Sequence, residues 1–238
     1  MVHPEYVGQF FERGWRTLDA VMDAEVEVVR RVEARDNCRL QLAGKPAYLK
    51  RHWERRASPL TTPPGRREAD AVGWCQAAGA STMTVIAAGA EGGAKNRRSF
   101  FLSEAIGGIA ADEFWNVNPD RQVRARVIAA LAETARRFHG AHLFHRDFYW
   151  CHFFIRDDGQ RIAAHLIDLQ RILRRPWMEW RWHVKDLGQF WFSAPDGVTA
   201  EDRRAWFEIY SGGERRGAME WAARLRARFY QIKDGRAA

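Results

Sequence analysis

Alternation and helical spacing divide the first half of the chain. Val26, Val28 and Val32 mark one strand among charged residues, and the stretches Arg39 to Leu42 and Ala47 to His52 mark two more. These runs predict three short strands, and the turn-rich segments "ARDN" and "AGKP" between them predict an antiparallel meander. Ahead of it, residues 1–20 set Phe10, Phe11 and Trp15 on one apolar side, as an amphipathic helix does. Behind it, the Pro-rich loop "SPLTTPPGRR" leads into Glu68, Val72 and Cys75 at helical spacing, with Gly79 as the stop. "STMTVIAAGA" and "SFFLSEAI" then predict two further strands about the polar turn "EGGAKNRR".

Beyond Gly107 and Gly108 the period lengthens. Asn118-Pro119 suits an N-cap and first-turn pair, and Val127, Leu131, Ala135 and Phe138 line one face of a long helix. "HFFI", the turn "RDDGQ" and "RIAAHLIDL" predict a hairpin, and the chain from about Trp177 is helical in tendency. The expected organisation is α+β. Residues 1–102 form an antiparallel sheet with one internal helix, 103–108 a hinge, and 109–238 a mainly helical part.

Composition narrows the class. A chain of 238 residues suits one domain or two packed lobes. No run of about 20 apolar residues suggests a membrane span, and the N-terminus lacks a secretory pattern. Three unpaired-looking cysteines suit a reducing cytosol, so a cytoplasmic location is expected. The net charge of +8 comes chiefly from arginine: only five of the 38 basic residues are lysine. That excess fits either genome composition or an anionic partner, for which the guanidinium fork is suited. No nucleic-acid-binding module accompanies it, so nucleic acid is not an expected partner.

The candidate chemistry centres on "FHRDFYWCHFFI", where His145, Arg146, Asp147 and His152 interrupt an aromatic run. Burying a carboxylate among Phe144, Phe148, Tyr149 and Trp150 would be costly without a partner or a purpose. Phosphoryl transfer from ATP needs a lysine on the phosphates, a glutamate fixing it, one aspartate for the acceptor hydroxyl and another for magnesium. Lys50, Glu68, Asp147 and Asp168 occur in that order, on a strand, a helix, a loop and a strand end respectively. His139, His142, His145 and His152 lack the cysteine pair or HExxH spacing of a zinc site.

"HRDFYWCHFFI" together with "LIDLQR" and "KDLGQFWFSA" resembles the Kdo/WaaP-type lipopolysaccharide kinases, whose pattern is H-R-D-x-Y-x-x-H-F followed by an I-D-L segment. The resemblance runs from about Tyr48 to Ala194. It implies a two-lobed protein-kinase-like fold, with ATP and Mg2+ as cofactors. The implied reaction transfers the γ-phosphoryl group to a sugar hydroxyl, heptose or Kdo, of the lipopolysaccharide inner core; the alternatives are a kinase of a small metabolite or of protein tyrosine, or an inactive pseudokinase. By position it implies Asp147 as catalytic base, Asp168 as magnesium ligand, Lys50 on the phosphates and Glu68 as its partner. Glu104 and Ile106 would offer hinge backbone groups to adenine, and His145 and Asp186 would anchor the catalytic loop. His152 replaces the asparagine of ordinary kinases and is expected either at phosphate or metal, or ordering the loop. No G-x-G-x-x-G precedes Lys50.

Asp168 and Asp186 are 18 residues apart and no A-P-E follows, which leaves little room for a peptide-binding activation segment. That short segment carries Arg171, Arg174 and Arg175 beside Trp177, Trp180 and Trp182. These arginines are candidates for gripping an acidic core sugar. The indoles suit sugar stacking or peripheral contact with the cytosolic face of the inner membrane.

Overall fold

The computed structural model describes residues 1–58, 60–177, 179–213 and 217–235. Pro59 of the Pro-rich loop and Met178 of the arginine- and tryptophan-rich segment lie outside them. The chain divides into two compact units: Met1–Gly73 with Met83–Ala105, and Trp74–Thr82 with Ile106–Ala238. No helix among the described residues is long and apolar enough to cross a membrane.

The first unit opens with two short helices, α1 (Val7–Glu12) and α2 (Leu18–Met22), rather than one long one. Gly14, at φ +75°, breaks the run. Phe10 and Trp15 are buried, whereas Phe11 points to solvent. Strands β1 (Glu27–Val32), β2 (Arg35–Leu42) and β3 (Lys45–Arg56) form the expected meander. It continues through α3 (Pro64–Ala77), which crosses the division between units, to β4 (Val85–Glu91) and β5 (Lys95–Glu104), giving the antiparallel order β1-β2-β3-β5-β4. The "AGKP" turn is a two-residue hairpin, Ala43 and Gly44 both lying at positive φ as a primed turn requires.

"ARDN" behaves otherwise. The turn is Glu33–Ala34, and Arg35, Asp36 and Asn37 belong to β2. Asp36 is fully buried because Arg51 on β3 donates to both its oxygens at 2.9 Å and also reaches the carbonyls of Met22 and Ala24. A buried ion pair with its donors satisfied tolerates a charge inside a sheet that would otherwise favour a turn. Leu40, Leu42, Leu49, Ile86 and Leu102 then fill one face against Tyr6, Phe10 and Met22.

The second unit contains β6 (Ile109–Ala110), α4 (Ala111–Val117), α5 (Arg121–Gly140), β7 (Leu143–Phe144), β8 (Phe153–Asp157), β9 (Ile162–Leu166) and β10 (Leu173–Arg174). Helices α6 (Glu179–Phe192), α7 (Ala200–Ser211) and α8 (Gly217–Lys233) follow. Small sheets β6-β8-β9 and β10-β7 carry the loops. The N-cap of α5 is Asp120, whose carboxylate accepts from the N–H groups of Gln122 and Val123, while Asn118 closes α4. An aspartate adds charge complementarity to the cap geometry, so the start falls two residues past the asparagine. Val127, Leu131, Ala135 and Phe138 are buried as their spacing predicts. Gly108, at φ +113°, lets the chain pass the carbonyl of Ile155, where a Cβ would stand 2.1 Å away.

Candidate active site

In the first unit, β3 projects Lys50 and α3 projects Glu68. Lys50 Nζ donates to Glu68 Oε1 at 2.6 Å, with the carboxylate fully buried and the amine 17% exposed. The pair leaves the ammonium at the edge of solvent with its position fixed, as a phosphate-binding cation needs to be. At the end of β5, the Glu104 side chain accepts from Tyr6 Oη and from Lys45 Nζ. Its backbone N–H donates to Thr84 O at 3.0 Å, and that of Ala105 to Pro46 O at 2.9 Å.

In the second unit, the loop after β7 is held from below by one face of α6. Asp186, with no solvent exposure, accepts from the N–H of His145 at 2.7 Å and of Arg146 at 3.0 Å. Gln189 accepts from the N–H of Phe148 and Ser193 from that of Trp150. Positions 186, 189 and 193 fall on one face at i, i+3, i+7, the last just past the end of α6, so three polar side chains take up four of the loop's N–H groups. Lys185 Nζ donates to Arg146 O at 3.0 Å, and burial pushes its ammonium below the ordinary lysine range. Arg146 is bonded at both backbone ends, which holds it at φ +73°, a conformation uncommon for a side-chain-bearing residue.

The aromatic residues of the run go inward. Phe144, Phe148, Trp150 and Phe153 are fully buried, and Phe148 packs on Phe138, Phe153 and Phe190. Asp147 instead keeps its carboxylate partly open, at 24% exposure, where Arg171 Nη1 reaches its two oxygens at 3.0 and 2.8 Å. His152 donates from Nδ1 to Asp147 O at 2.7 Å and stacks on His145 at 5.5 Å between ring centres. His145 is completely buried, which pushes its imidazole below the usual range, and its Nε2 donates to Ile167 O at 2.9 Å. That bond ties the loop to the residue before Asp168, which sits in left-handed backbone geometry (φ +56°, ψ +54°) with its Oδ1 accepting from Gln170.

A family model described as the Lipopolysaccharide kinase (Kdo/WaaP) family matches residues 12–210. The chain belongs to that family. Lipopolysaccharide core heptose(I) kinase WaaP of Pseudomonas aeruginosa is 28% identical over 254 residues, covering 94% of this chain and 95% of the relative. The protein of the same name from Escherichia coli (strain K12) is 32% identical over 223 residues, 83% of each. A solved structure titled "WaaP in complex with acyl carrier protein" superposes with a TM-score of 0.76 at 25% identity, covering 97% of this chain and 98% of that one. The fold is therefore kinase-like, and the lipopolysaccharide kinase is a phosphotransferase that uses ATP and takes a hydroxyl acceptor.

Among the expected site residues of this lipopolysaccharide kinase, the structure gathers Asp147, His145, His152, Arg171 and Asp186 about one loop, and Lys50 and Glu68 about another point. Arg171 lies on Asp147 rather than in an open arginine patch. Arg174 is exposed on β10 opposite Leu143, and the Arg175 guanidinium lies 5.7 Å from the centre of the exposed Trp177 ring. Sequence reasoning missed the Lys185–Arg146 bond, the Asp147–Arg171 pair and the contacts of Gln189 and Ser193. It missed equally the chain Tyr210–His139–Asp186, in which His139 Nδ1 meets Tyr210 Oη at 2.8 Å and Nε2 lies 3.5 Å from Asp186. The spacing of Asp186, Gln189 and Ser193 was the one signal available for any of these.

Magnesium fits the donors only in part. Asp168 supplies a carboxylate, and a magnesium ion on ATP needs little more from protein than that. No three His, Cys, Asp or Glu side chains among the described residues converge as a metal cluster. His152 has given one nitrogen to the loop backbone, and imidazole is a poor magnesium ligand.

Proposed function

We propose that this lipopolysaccharide kinase transfers the γ-phosphoryl group of ATP to a heptose hydroxyl of the inner core, as the names of its curated relatives suggest. The observation that carries the reading is the partly open Asp147 carboxylate on a loop whose amides are fixed by Asp186, Gln189 and Ser193. Asp147 accepts a hydrogen bond from the sugar hydroxyl and aims its oxygen at the γ-phosphorus. The new O–P bond forms as the β,γ-bridging O–P bond breaks; the hydroxyl proton passes to Asp147 and ADP leaves. Arg171 must share or release the carboxylate for the hydroxyl to approach. An arginine that is 48% exposed does so easily, because such pairs contribute only about 0–1 kcal/mol.

Lys50, fixed by Glu68, takes the α/β-phosphates. Asp168 would hold magnesium, which would supply neutralisation of the phosphate charge. His152 orders the loop through Asp147 O. Residues 103–108 serve as a hinge between an N-terminal lobe and a C-terminal lobe. With the N–H of Glu104 occupied by Thr84, adenine is met by the Glu104 carbonyl and by Ile106. Arg174 and Arg175 grip acidic groups of the acceptor, and the enzyme works peripherally at the cytosolic face of the inner membrane. Coupled measurement of ADP release with Mg2+, with and without purified lipopolysaccharide core, tests the assignment. Turnover that requires the core supports it; ATP binding without turnover refutes it.

A further inference from the structure

Helix α8 is apolar on the wrong side for a helix that serves only the fold. Its inner face is small: Met219, Ala223 and Ala227 are buried, and α6 comes so close that a Cβ on Gly188 would stand 2.6 Å from Arg226 Cγ. Its outer face carries Trp221, Leu225, Phe229 and Ile232, between 49% and 66% exposed. At a helical turn per 3.6 residues these four fall within an arc of about 80° opposite the buried alanines. Leaving that much apolar surface in water is unfavourable, and a stripe of this kind marks an interaction surface.

A basic cavity adjoins the stripe. About 270 Å³ in volume, it lies between Trp191 and Trp221 and is bordered by Arg203, Arg224 and Arg228, with no carboxylate among the described residues that line it. The Arg203 guanidinium stacks on Trp191 at 5.2 Å. Burial, then the Arg224 cation, push Arg203 below its ordinary range, and an anion in the cavity would counter that by favouring the charged guanidinium. Tryptophan and phenylalanine on one face with arginine beside them suit the boundary between headgroups and acyl chains.

We propose that the outer face of α8 docks on an anionic phospholipid bilayer, with the arginine cavity taking a headgroup phosphate. The surface deepens the function above, resting on the reading that the acceptor sugar is carried by a lipid. It brings the enzyme to the plane in which such an acceptor lies.

Sedimentation of the full-length protein with phosphatidylcholine vesicles, and with vesicles that also contain phosphatidylglycerol, tests this without ATP. Binding is expected only to the mixed vesicles and is weakened by salt. R224E/R228E should weaken it by about tenfold or more, and W221S/F229S by a similar factor. Both variants should phosphorylate delipidated core oligosaccharide at the wild-type rate, which also shows that they fold. Equal vesicle binding by wild type and variants would overturn the proposal. So would failure of the wild type to bind, or variants that keep vesicle binding and lose only an acidic protein partner such as an acyl carrier protein. Because vesicle binding is read separately, failure of the oligosaccharide assay in the wild type would count against the acceptor assignment and not against the surface.

Discussion

Asp186→Asn removes one acceptor from the floor of the loop that carries Asp147 while preserving shape. In the native protein two carboxylate oxygens each take one backbone N–H, from His145 at 2.7 Å and Arg146 at 3.0 Å, in a site with no solvent exposure. The asparagine amide turns one oxygen into a donor that faces another donor. A hydrogen bond to a charged group contributes about 1.5–3 kcal/mol, and full burial of Asp186 keeps bulk solvent from replacing it. Were that amount lost from the positioning of Asp147 in the transition state, kcat would fall by about 10- to 150-fold. Lys50 and Glu68 are untouched, so KM for ATP should change by less than about twofold. Steady-state kinetics on lipopolysaccharide core, with a thermal melt of the variant alongside, measures both. A folded Asp186→Asn enzyme with kcat within about twofold of wild type would refute the claim that these two bonds position the loop.

Further outcomes follow from neighbouring groups. Tyr210→Phe deletes the partner of His139 Nδ1 and leaves a buried polar atom unpaired, so it should cost about 1–3 kcal/mol in denaturant stability and lower kcat without raising KM for ATP. His52 is pushed down to about 4, first by burial and then by the Lys50 cation. Between about pH 6.5 and 4 the unfolded chain binds a proton that the folded one refuses, so stability falls as pH falls through that window, by at most about 3 kcal/mol. Denaturant midpoints for His52→Gln should show a flatter slope there, and parallel slopes would contradict it. Cys38 and Cys75 are buried, with thiols pushed up to about 11 and about 12. Alkylation of the native enzyme should therefore label the exposed Cys151 alone, as peptide mapping would show.

Much of this was legible where local pattern and tertiary need agree. Short apolar runs between turn-rich segments located the meander, although β1 is exposed along its whole length, and Val127, Leu131, Ala135 and Phe138 marked the buried face of α5. The order of Lys50, Glu68, Asp147 and Asp168 told which elements bear charged groups. Partners distant in sequence were not legible. Nothing local to "ARDN" shows that Arg51 will neutralise Asp36 and hold it in a strand. Phe11 fitted an apolar side on a helix that Gly14 ends, so it emerges exposed. Asn118 and Asp120 are both good caps, and the chain uses the charged one for α5. Arg171 looked like part of a substrate patch because its neighbours are arginines, but its partner Asp147 lies 24 residues earlier.

Phosphorus NMR of core oligosaccharide treated with ATP, Mg2+ and enzyme reads the central claim directly. The wild type should give a new phosphomonoester resonance coupled to a heptose proton, and Asp147→Ala should give none while still binding ATP. A wild-type rate of product formation by Asp147→Ala, or ATP hydrolysis by the wild type with no phosphorylated sugar, would contradict it.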